Sequence, residues 1–524
     1  MALKTITINS IWGGQQQTYY SGGADTYLAS LGIDPDLPVN TAGLDERTSG
    51  AIVPVAYTKF SSTNISGYPK WIVTNIKDTK IYVYASDGKF VSYTSALGSE
   101  TLVGTPTSGA GNGAAYYNNY IYLATPTDIS RYGPLDGTPS LANTVWTSTW
   151  SLTALTNTTY PSLRGTPMPN HPMHVHGDNA LYLGDVSAGQ GIINKIITSK
   201  TTNEGDTDNG SAYNSLDLPF GFIPTDIESW GTDLVIAATQ TTDTTVNQGK
   251  AALFFWDPTD TDTFYRGPMF LPDPIVSALI NINGVLWIFT GNASNGVRVS
   301  RYIGGNSISK TGNVYLEEGQ PPLAGAVDAL GNRVVWGGYS TYPESSACVW
   351  ALGSKRPDVP AGLHNVVKTT STGATQSVTA LKYALQSSNI SPRVIAGWGD
   401  DSAKGIDKYS AAATQTSVWR SKVINIGQAF QLKRIRVPLS KAVAANMTFT
   451  PKVYIDEEST TVTLTTVNNT NYASSERKID IKARELKSAQ GKNNFFIEFN
   501  FDGTVQLPIT FPIIIDVDVF EDEP

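Results

Sequence analysis

Seven short runs of β-branched and aromatic residues recur along this 524-residue chain, and they constrain its fold more than any other feature. The runs begin at positions 81, 121, 181, 234, 286, 334 and 394, and their composition is typical of strands. A turn signal precedes nearly every run, for example Asn118-Asn119, Gly177-Asp178-Asn179 and Asn283-Gly284. Asn and Gly readily adopt the positive φ that tight hairpin turns require. The pattern therefore predicts an all-β protein.

The spacing of the runs narrows this prediction to one architecture. The runs start about 52 residues apart on average, close to the length of a four-stranded propeller blade with its loops. Several end on small residues, such as Ala85, Gly184 and Gly337, as we expect where inner strands converge on a crowded axis. We predict a β-propeller of about seven blades over residues 51–417. A set of unrelated β-hairpins in two or three sandwiches is the alternative.

The pattern changes on either side of this region. After about Ser417 the strands alternate on two faces, as in Phe495, Ile497 and Phe499, without the landmarks of the blades. We predict a C-terminal β-sandwich over residues 418–524. Residues 1–50 hold too few periodic segments for a domain, and we expect an N-terminal arm or partial blade. It leads to residues 52–57, which we expect to help close the ring.

Composition excludes several classes of protein. A single cysteine, Cys348, rules out a disulfide framework, and the 11 Trp, 25 Tyr and 17 Phe residues need a folded interior to bury them. The net charge of −8 argues against a coat for nucleic acid, which needs a basic surface. No stretch approaches the length of a membrane span or of a signal peptide's apolar core. We therefore expect synthesis in a cytoplasm, no membrane anchor and no sequence-specific binding of nucleic acid.

Three of the four histidines lie together and form the one candidate metal site. On a strand, His174 and His176 point to the same face about 6.5–7 Å apart, a spacing that can chelate a transition metal. His171 and Asp178 are further candidate ligands. The alternative is a purely structural role for these side chains. No cofactor is expected.

Catalytic motifs are missing from the sequence. It contains no G-x-S-x-G elbow, no H-E-x-x-H pair and no phosphate-binding G-x-x-x-x-G-K-[ST] loop. Cys348 lies in an apolar run and is expected to be buried and inert. The acidic turns at 204–210 and 257–262 do not fit the twelve-residue calcium loop. A propeller glycosidase leaves no local motif, because its carboxylates come from different blades. We expect a protein that is not an enzyme.

Long phrases of the sequence resemble a family of structural proteins from the virions of tailed bacteriophages, of the type met in marine viral sequences. These phrases are Ser49–Pro54, Tyr84–Lys89, Gly111–Pro126, His174–Tyr182, Leu218–Phe222 and Ala329–Val334. The resemblance implies a structural part of a virion and supplies no catalytic residues. A propeller with an added sandwich is also similar in plan to the nozzle proteins at the distal end of short phage tails.

We therefore expect a non-enzymatic virion structural protein, most simply a tail component that forms or caps the distal conduit. It would be made in the host cytoplasm and located in the virion. Its expected partners are other phage structural proteins and further copies of itself. The first alternative is an adhesin that recognises a carbohydrate on the host surface. The second is a propeller glycosidase.

Overall fold

The computed structural model of the chain describes most of its residues. They are residues 2–16, 23, 25–37, 51–60, 62–94, 97–106, 111–143, 162–163, 166–167, 171–187, 189–197, 212–240, 250–259, 263–292, 296–309, 313–316, 321–353, 362–373, 375–385, 392–400, 402–410, 413–414, 416–472, 476–482 and 484–520. Nearly all regular structure in these ranges is β. A single turn of 3₁₀ helix, Ala324–Ala326, is present, and no described helix is long and apolar enough to cross a membrane.

Seven antiparallel sheets of four strands form a ring of blades, numbered here in chain order. Blade 1 contains Pro69–Thr74, Ile81–Ala85, Phe90–Tyr93 and Glu100–Gly104, and blade 2 contains Gly113–Tyr117, Tyr120–Ala124, Ile129–Gly133 and Ser140–Ala142. Blade 3 contains Met173–Val175, Leu181–Ser187, Gln190–Ile196 and Ala212–Phe220. Blade 4 contains Phe222–Trp230, Asp233–Gln240, Ala251–Trp256 and Arg266–Phe270. Blades 5 and 6 contain Ile275–Ile282, Val285–Gly291, Val297–Tyr302 and Val314–Leu316; and Val327–Leu330, Arg333–Ser340, Ser346–Leu352 and Leu363–Lys368. A separate hairpin, Ser162–Leu163 with Thr166–Pro167, lies between blades 2 and 3 in sequence.

Blade 7 closes the ring with strands from both ends of the propeller segment. Its first three strands are Ser377–Ala384, Arg393–Gly399 and Lys404–Tyr409, and its outermost strand is Tyr57–Phe60. Tyr57 pairs with Tyr409, and Phe60 pairs with Ile406. The all-β fold class, with a seven-bladed propeller followed by a sandwich, is therefore confirmed. Of residues 52–57, which were expected to help close the ring, Tyr57 takes part in this pairing, whereas Ile52 pairs with Ile509 of the sandwich.

The seven apolar runs are the second strand of each blade, not the innermost one. The first strands contact one another around the axis, and the runs pair with them from outside. Small residues in the runs therefore have another cause, which is close approach of the next blade. A Cβ built on Gly337 would lie 2.6 Å from Val378 Cγ1, and one on Gly397 would lie 2.6 Å from Pro69 Cβ.

Aromatic rings fill the space between neighbouring blades. Phe90 of blade 1 lies 5.8 Å from Tyr132 of blade 2, and Phe255 of blade 4 lies 5.1 Å from Tyr302 of blade 5. Offset and edge-on arrangements at these separations are the favourable geometries for aromatic pairs. The high aromatic content of the chain is thus used largely in packing the ring.

The sandwich is built from both ends of the chain, which corrects the expected N-terminal arm or partial blade over residues 1–50. The five strands of one sheet are Ala2–Ile8, Phe430–Pro438, Lys478–Lys482, Gln490–Gly491 and Ile513–Val519. The seven strands of the other sheet are Gly14–Gln15, Thr26–Leu31, Val418–Ser421, Ile424–Asn425, Phe449–Ile455, Thr460–Thr463 and Asn494–Phe501. Strand Ala2–Ile8 pairs with Ile513–Val519 along its full length. The physical reason is that this N-terminal strand completes a sheet edge, and its Ile8 side chain joins the sandwich core. The propeller is therefore inserted into the sandwich.

A buried ion pair joins the sandwich strands to blade 6. The guanidinium of Arg333 donates to both carboxylate oxygens of Asp34, at 2.9 and 3.2 Å, and lies 3.5 Å from Asp36. The Arg333 side chain is only 1% exposed. Nearby, the Tyr27 hydroxyl lies 2.8 Å from Nδ1 of His364 on the outer strand of blade 6. Buried polar contacts of Arg333 and Tyr27 thereby attach the ring to the sandwich segment.

A second contact lies at the loop between the second and third strands of blade 6. The Tyr342 hydroxyl donates to Glu458 at 2.7 Å, and the Arg420 guanidinium stacks over the Tyr342 ring at 4.4 Å. Arg420 in turn donates to Glu498 at 2.6 Å within the sandwich. Ring and sandwich are therefore held together at two separate places.

Candidate functional site: the central channel

The first strands of all seven blades surround a channel along the propeller axis. The cavity in this channel has a volume of about 270 Å³. Because a first strand has a partner on one side only, its other edge faces the channel with free backbone groups. The channel is therefore the place where polar groups from several blades meet.

One position in each first strand forms a ring of side chains that we call the girdle. To find it, take the third residue of the apolar run, then its partner on the first strand; the girdle residue is the one after that partner. In blade 1, Val83 pairs with Ile72, and in blade 4, Ile236 pairs with Ile227. In blade order, the girdle residues are Val73, Ala115, His174, Glu228, Ile280, Asp328 and Lys382. Blades 3, 4, 6 and 7 thus contribute polar side chains, and blades 1, 2 and 5 contribute apolar ones.

Carboxylates of the channel wall bind backbone N–H groups of the following blade. Asp226 accepts from the N–H of Leu279 at 2.6 Å, and Asp328 accepts from the N–H of Tyr383 at 2.7 Å. Lys382 Nζ donates to the other oxygen of Asp328 at 2.9 Å. These bonds satisfy strand edges that have no β-partner, and they tie blade 4 to blade 5 and blade 6 to blade 7.

Two acids of the channel wall, Asp226 and Glu228, have raised pKa values and hold protons near neutral pH. Burial raises the pKa of Glu228 to about 8, and the neighbouring Asp226 carboxylate adds to the effect. Burial also raises the pKa of Asp226 to about 7, although the N–H groups of Leu279 and Ile227 oppose the shift. The two lie two residues apart on one strand and face the same side. Around pH 7 the pair can donate as well as accept hydrogen bonds.

His174 and His176 converge on one hydroxyl group of the next blade. Ser229 Oγ lies 2.7 Å from His174 Nε2 and 2.8 Å from His176 Nδ1. His176 Nε2 lies 3.1 Å from the carbonyl of Thr232, which can only accept, so this nitrogen carries the proton. His176 Nδ1 therefore accepts from the Ser229 hydroxyl, and that oxygen accepts from His174 Nε2. Burial lowers the pKa of His174 to about 4, with His176 contributing, so a neutral ring fits this chain of bonds.

The structure separates the four predicted metal ligands. His171 is buried, with Nδ1 3.1 Å from the carbonyl of Gly184, and Asp178 accepts from the Tyr182 hydroxyl at 2.7 Å and pairs with Lys195 at 2.9 Å. Within the described part of the chain, no group of three or more His, Cys, Asp or Glu side chains is arranged to hold a metal ion. His174 and His176 do share a face, as predicted, but their ring nitrogens have hydrogen-bond partners from blade 4. His171 and Asp178, the further candidate ligands, do not join the pair His174 and His176 in the structure.

Other sequence candidates have structural explanations. Cys348 is fully buried, and burial raises the pKa of its thiol to about 12, which keeps it protonated. Asp257 accepts from both the N–H and the hydroxyl of Thr259, a local turn contact. The acidic turn at 204–210 lies outside the described residues.

Sequence reasoning missed the residues that dominate the channel. Asp226, Glu228, Ser229, Asp328 and Lys382 lie in first strands whose sequences mix charged and apolar residues and so do not read as apolar runs. A usable signal was that Glu228 and Asp328 each lie three residues ahead of the glycine in the turn before the apolar run, Gly231 and Gly331. Together with Trp71 of blade 1 and Tyr116 of blade 2, which also line the cavity, these groups suit a small ligand with both hydroxyl groups and an apolar face.

No family model and no curated protein matches the chain. Solved structures similar to it include the WD40 domain of Neurospora crassa Pan2, with 12% identity, a TM-score of 0.42, and 68% of this chain and 97% of that chain covered. The β-propeller domain of Myceliophteria thermophila Cps50 (Swd1) has 10% identity, a TM-score of 0.40, and coverage of 68% and 100%. U3-55K has 11% identity, a TM-score of 0.40, and coverage of 67% and 98%. Likenesses this distant carry no argument about what the chain does.

Proposed function

We propose that the chain is a non-enzymatic structural subunit of a phage virion, most simply a tail component similar in plan to a nozzle protein. The observation that carries the proposal is the way ring and sandwich are joined. The ring is inserted in the sandwich and closed by Tyr57–Phe60. The buried Arg333–Asp34 pair and the Tyr342–Glu458 contact then fix the two parts to each other. A rigid block of this kind suits a role in assembly, in which loops and edges contact neighbouring subunits.

The size of the central channel limits how such a subunit would contribute to a conduit. The described first strands leave a cavity of about 270 Å³ at the axis, which is the size of a small-ligand site. The subunit would therefore cap the conduit, or several copies would surround it. Other phage structural proteins and copies of this chain are the proposed partners. The net charge of −8 is consistent with contacts to protein and not with binding along nucleic acid.

Purified particles test this proposal directly. Mass spectrometry should detect the chain in particles banded by density, in a constant ratio to the major capsid protein. Cryo-electron microscopy should then show seven-bladed density in the tail. Absence of the chain from intact particles, with the protein present in the lysate, contradicts the proposal.

A carbohydrate-binding adhesin is the second candidate, and the polar half of the girdle favours it. Protonated Glu228 and neutral His174 can bond sugar hydroxyls, while Trp71 and Tyr116, which line the same cavity, suit an apolar sugar face. The test is a glycan array with the wild-type chain and the variant Tyr116→Ala. Binding that is weakened by this change supports the candidate, and an array without any signal opposes it.

A propeller glycosidase would need the raised pKa of Glu228 as its general acid. Release of reducing ends from host polysaccharide, lost in Glu228→Gln, would support that activity. A wild-type chain without activity on a broad polysaccharide panel leaves the structural proposal in place.

A further inference from the structure

A groove with basic rims lies where the ring closes, between blade 7 and the segment that leads into blade 1. We call it the lysine groove, and its volume is about 220 Å³. It is lined by Lys59, Phe60, Ser62, Ile65, Gly67, Pro69, Lys404, Gly405 and Ile406. Its apolar lining includes the nearly buried Ile65 and Ile406 and the partly exposed Phe60. Such a lining can accept one apolar side chain of a partner.

The charge of the groove is opposite in sign to that of the chain. Of the nine described residues that line it, two are lysines and none is acidic, whereas the whole chain carries a net charge of −8. Lys59 Nζ lies over the Trp398 ring at 5.1 Å, and Lys404 Nζ donates to the carbonyl of Ser66. Neither lysine therefore depends on a carboxylate for its position.

Carboxylates in this part of the fold have other hydrogen-bond partners, and Asp87 accepts from both the N–H and the hydroxyl of Ser66. Glu100 accepts from the hydroxyl and N–H groups of Ser62 and Thr63 and from the Tyr93 hydroxyl. Asp407 is fully buried and accepts from Trp398 Nε1 at 2.9 Å. The positive charge of the groove is consequently available to an anionic partner.

We propose that residues 520–524 of a second copy, Phe-Glu-Asp-Glu-Pro, dock in the lysine groove. The segment is complementary to the groove in both respects, because one aromatic residue is followed directly by three carboxylates. Phe520 enters the apolar part, and the carboxylates of 521–523 face Lys59 and Lys404. This contact is a solution property of the chain, so it is independent of whether the protein is part of a virion.

Phe520 is anchored in the sandwich of its own chain, because its N–H bonds the carbonyl of Ala429 next to the sheet that contains Ile513–Val519 and Ala2–Ile8. The lysine groove lies on the ring, between blade 7 and the segment that leads into blade 1. We therefore assign the contact to two copies, and the dependence of association on protein concentration tests this assignment.

A peptide of residues 517–524, labelled with fluorescein at its N-terminus, tests the site by fluorescence anisotropy. The binding partner is the full chain with Glu521→Gln, Asp522→Asn and Glu523→Gln, so that its own segment does not compete. In this background, Lys59→Glu with Lys404→Glu should weaken peptide binding about tenfold or more. The control, Lys80→Glu with Lys487→Glu, makes the same change in net charge at exposed lysines elsewhere and should leave binding unchanged.

Charge exchange in the full chain provides the second test, read by sedimentation velocity. The wild-type chain should associate with increasing concentration, and either K59E/K404E or E521K/D522K/E523K alone should abolish association. Combining the two sets should restore it. Equal peptide binding by K59E/K404E and by K80E/K487E, or association that K59E/K404E leaves intact, overturns the proposal. The variant K59Q/K404Q, which keeps most of each side chain, separates loss of charge from loss of fold.

Discussion

Replacing Glu228 with Gln should make the propeller more stable at alkaline pH and leave it unchanged at acidic pH. Glu228 is 19% exposed in its side chain, and its Oε1 accepts from the N–H of Ser229 at 2.9 Å. Gln is the neutral isostere of the protonated acid and keeps this acceptor. The substitution therefore removes only the ability to ionise.

The magnitude follows from the shifted pKa. Burial, with the Asp226 carboxylate, raises the pKa of Glu228 from 4.5 to about 8 in the folded chain. For a group whose folded pKa is raised, stability is greatest below the unfolded value and falls as pH rises through the folded one. The loss between pH 4.5 and 8 is at most about 1.4 kcal/mol per pH unit, or roughly 3–5 kcal/mol in total with part of the proton shared by Asp226.

Urea unfolding at pH 5 and pH 9 measures this difference. Wild type and E228Q should agree to within about 1 kcal/mol at pH 5, and E228Q should be more stable by about 3–5 kcal/mol at pH 9. Glu100→Gln is the control of opposite sign. Although burial opposes it, hydrogen bonds from Ser62 and Thr63 lower the pKa of Glu100, so this variant should lose stability at both pH values. A constant offset between wild type and E228Q at all pH values would refute the reasoning.

Three further variants test the fold, each by its unfolding midpoint. Arg333→Met leaves the Asp34 and Asp36 carboxylates buried without their cation and should cost about 3–5 kcal/mol, whereas Arg434→Met at the exposed Asp480 pair should leave the midpoint unchanged. Gly337→Ala places a methyl group 2.6 Å from Val378 and should cost about 1–3 kcal/mol; an unchanged midpoint would show that blades 6 and 7 are packed less closely. The pair Thr58→Cys and Lys408→Cys, at opposed positions of the closing strands, should form a disulfide that raises stability by about 2–4 kcal/mol over the reduced form. Failure of the two thiols to cross-link on oxidation would contradict the pairing that closes the ring.

Local pattern was enough to predict the ring. The apolar runs and the Asn and Gly turns ahead of them are local signals, and Asn119, Asn179 and Asn283 do adopt positive φ. The count of seven blades follows from their repetition. Fold class could be predicted from the sequence because each blade repeats the same short-range chemistry.

Pairings across long sequence separations could not be read in this way. Strand Ala2–Ile8 alternates like any strand, but nothing local shows that its partner is Ile513–Val519. The channel was missed for a related reason. Glu228 and Asp328 become a site only when seven blades place them at one level, and Ser229, which orders both histidines, lies more than fifty residues from them in sequence.

Because the sandwich is built from segments on both sides of the propeller in sequence, it also determines the order in which parts of the protein can fold during synthesis. Residues 2–8 leave the ribosome about 500 residues before the strand they pair with, 513–519. At about 5–20 residues per second, that interval is roughly 25–100 s. During this time the nascent N-terminal strand has no native partner while complete blades can already form behind it. The strand Ala-Leu-Lys-Thr-Ile-Thr-Ile, with its lysine and two threonines, must stay soluble until its partner strand has been synthesised. The ring, in turn, can close only after Lys404–Tyr409 has been synthesised and can pair with Tyr57–Phe60.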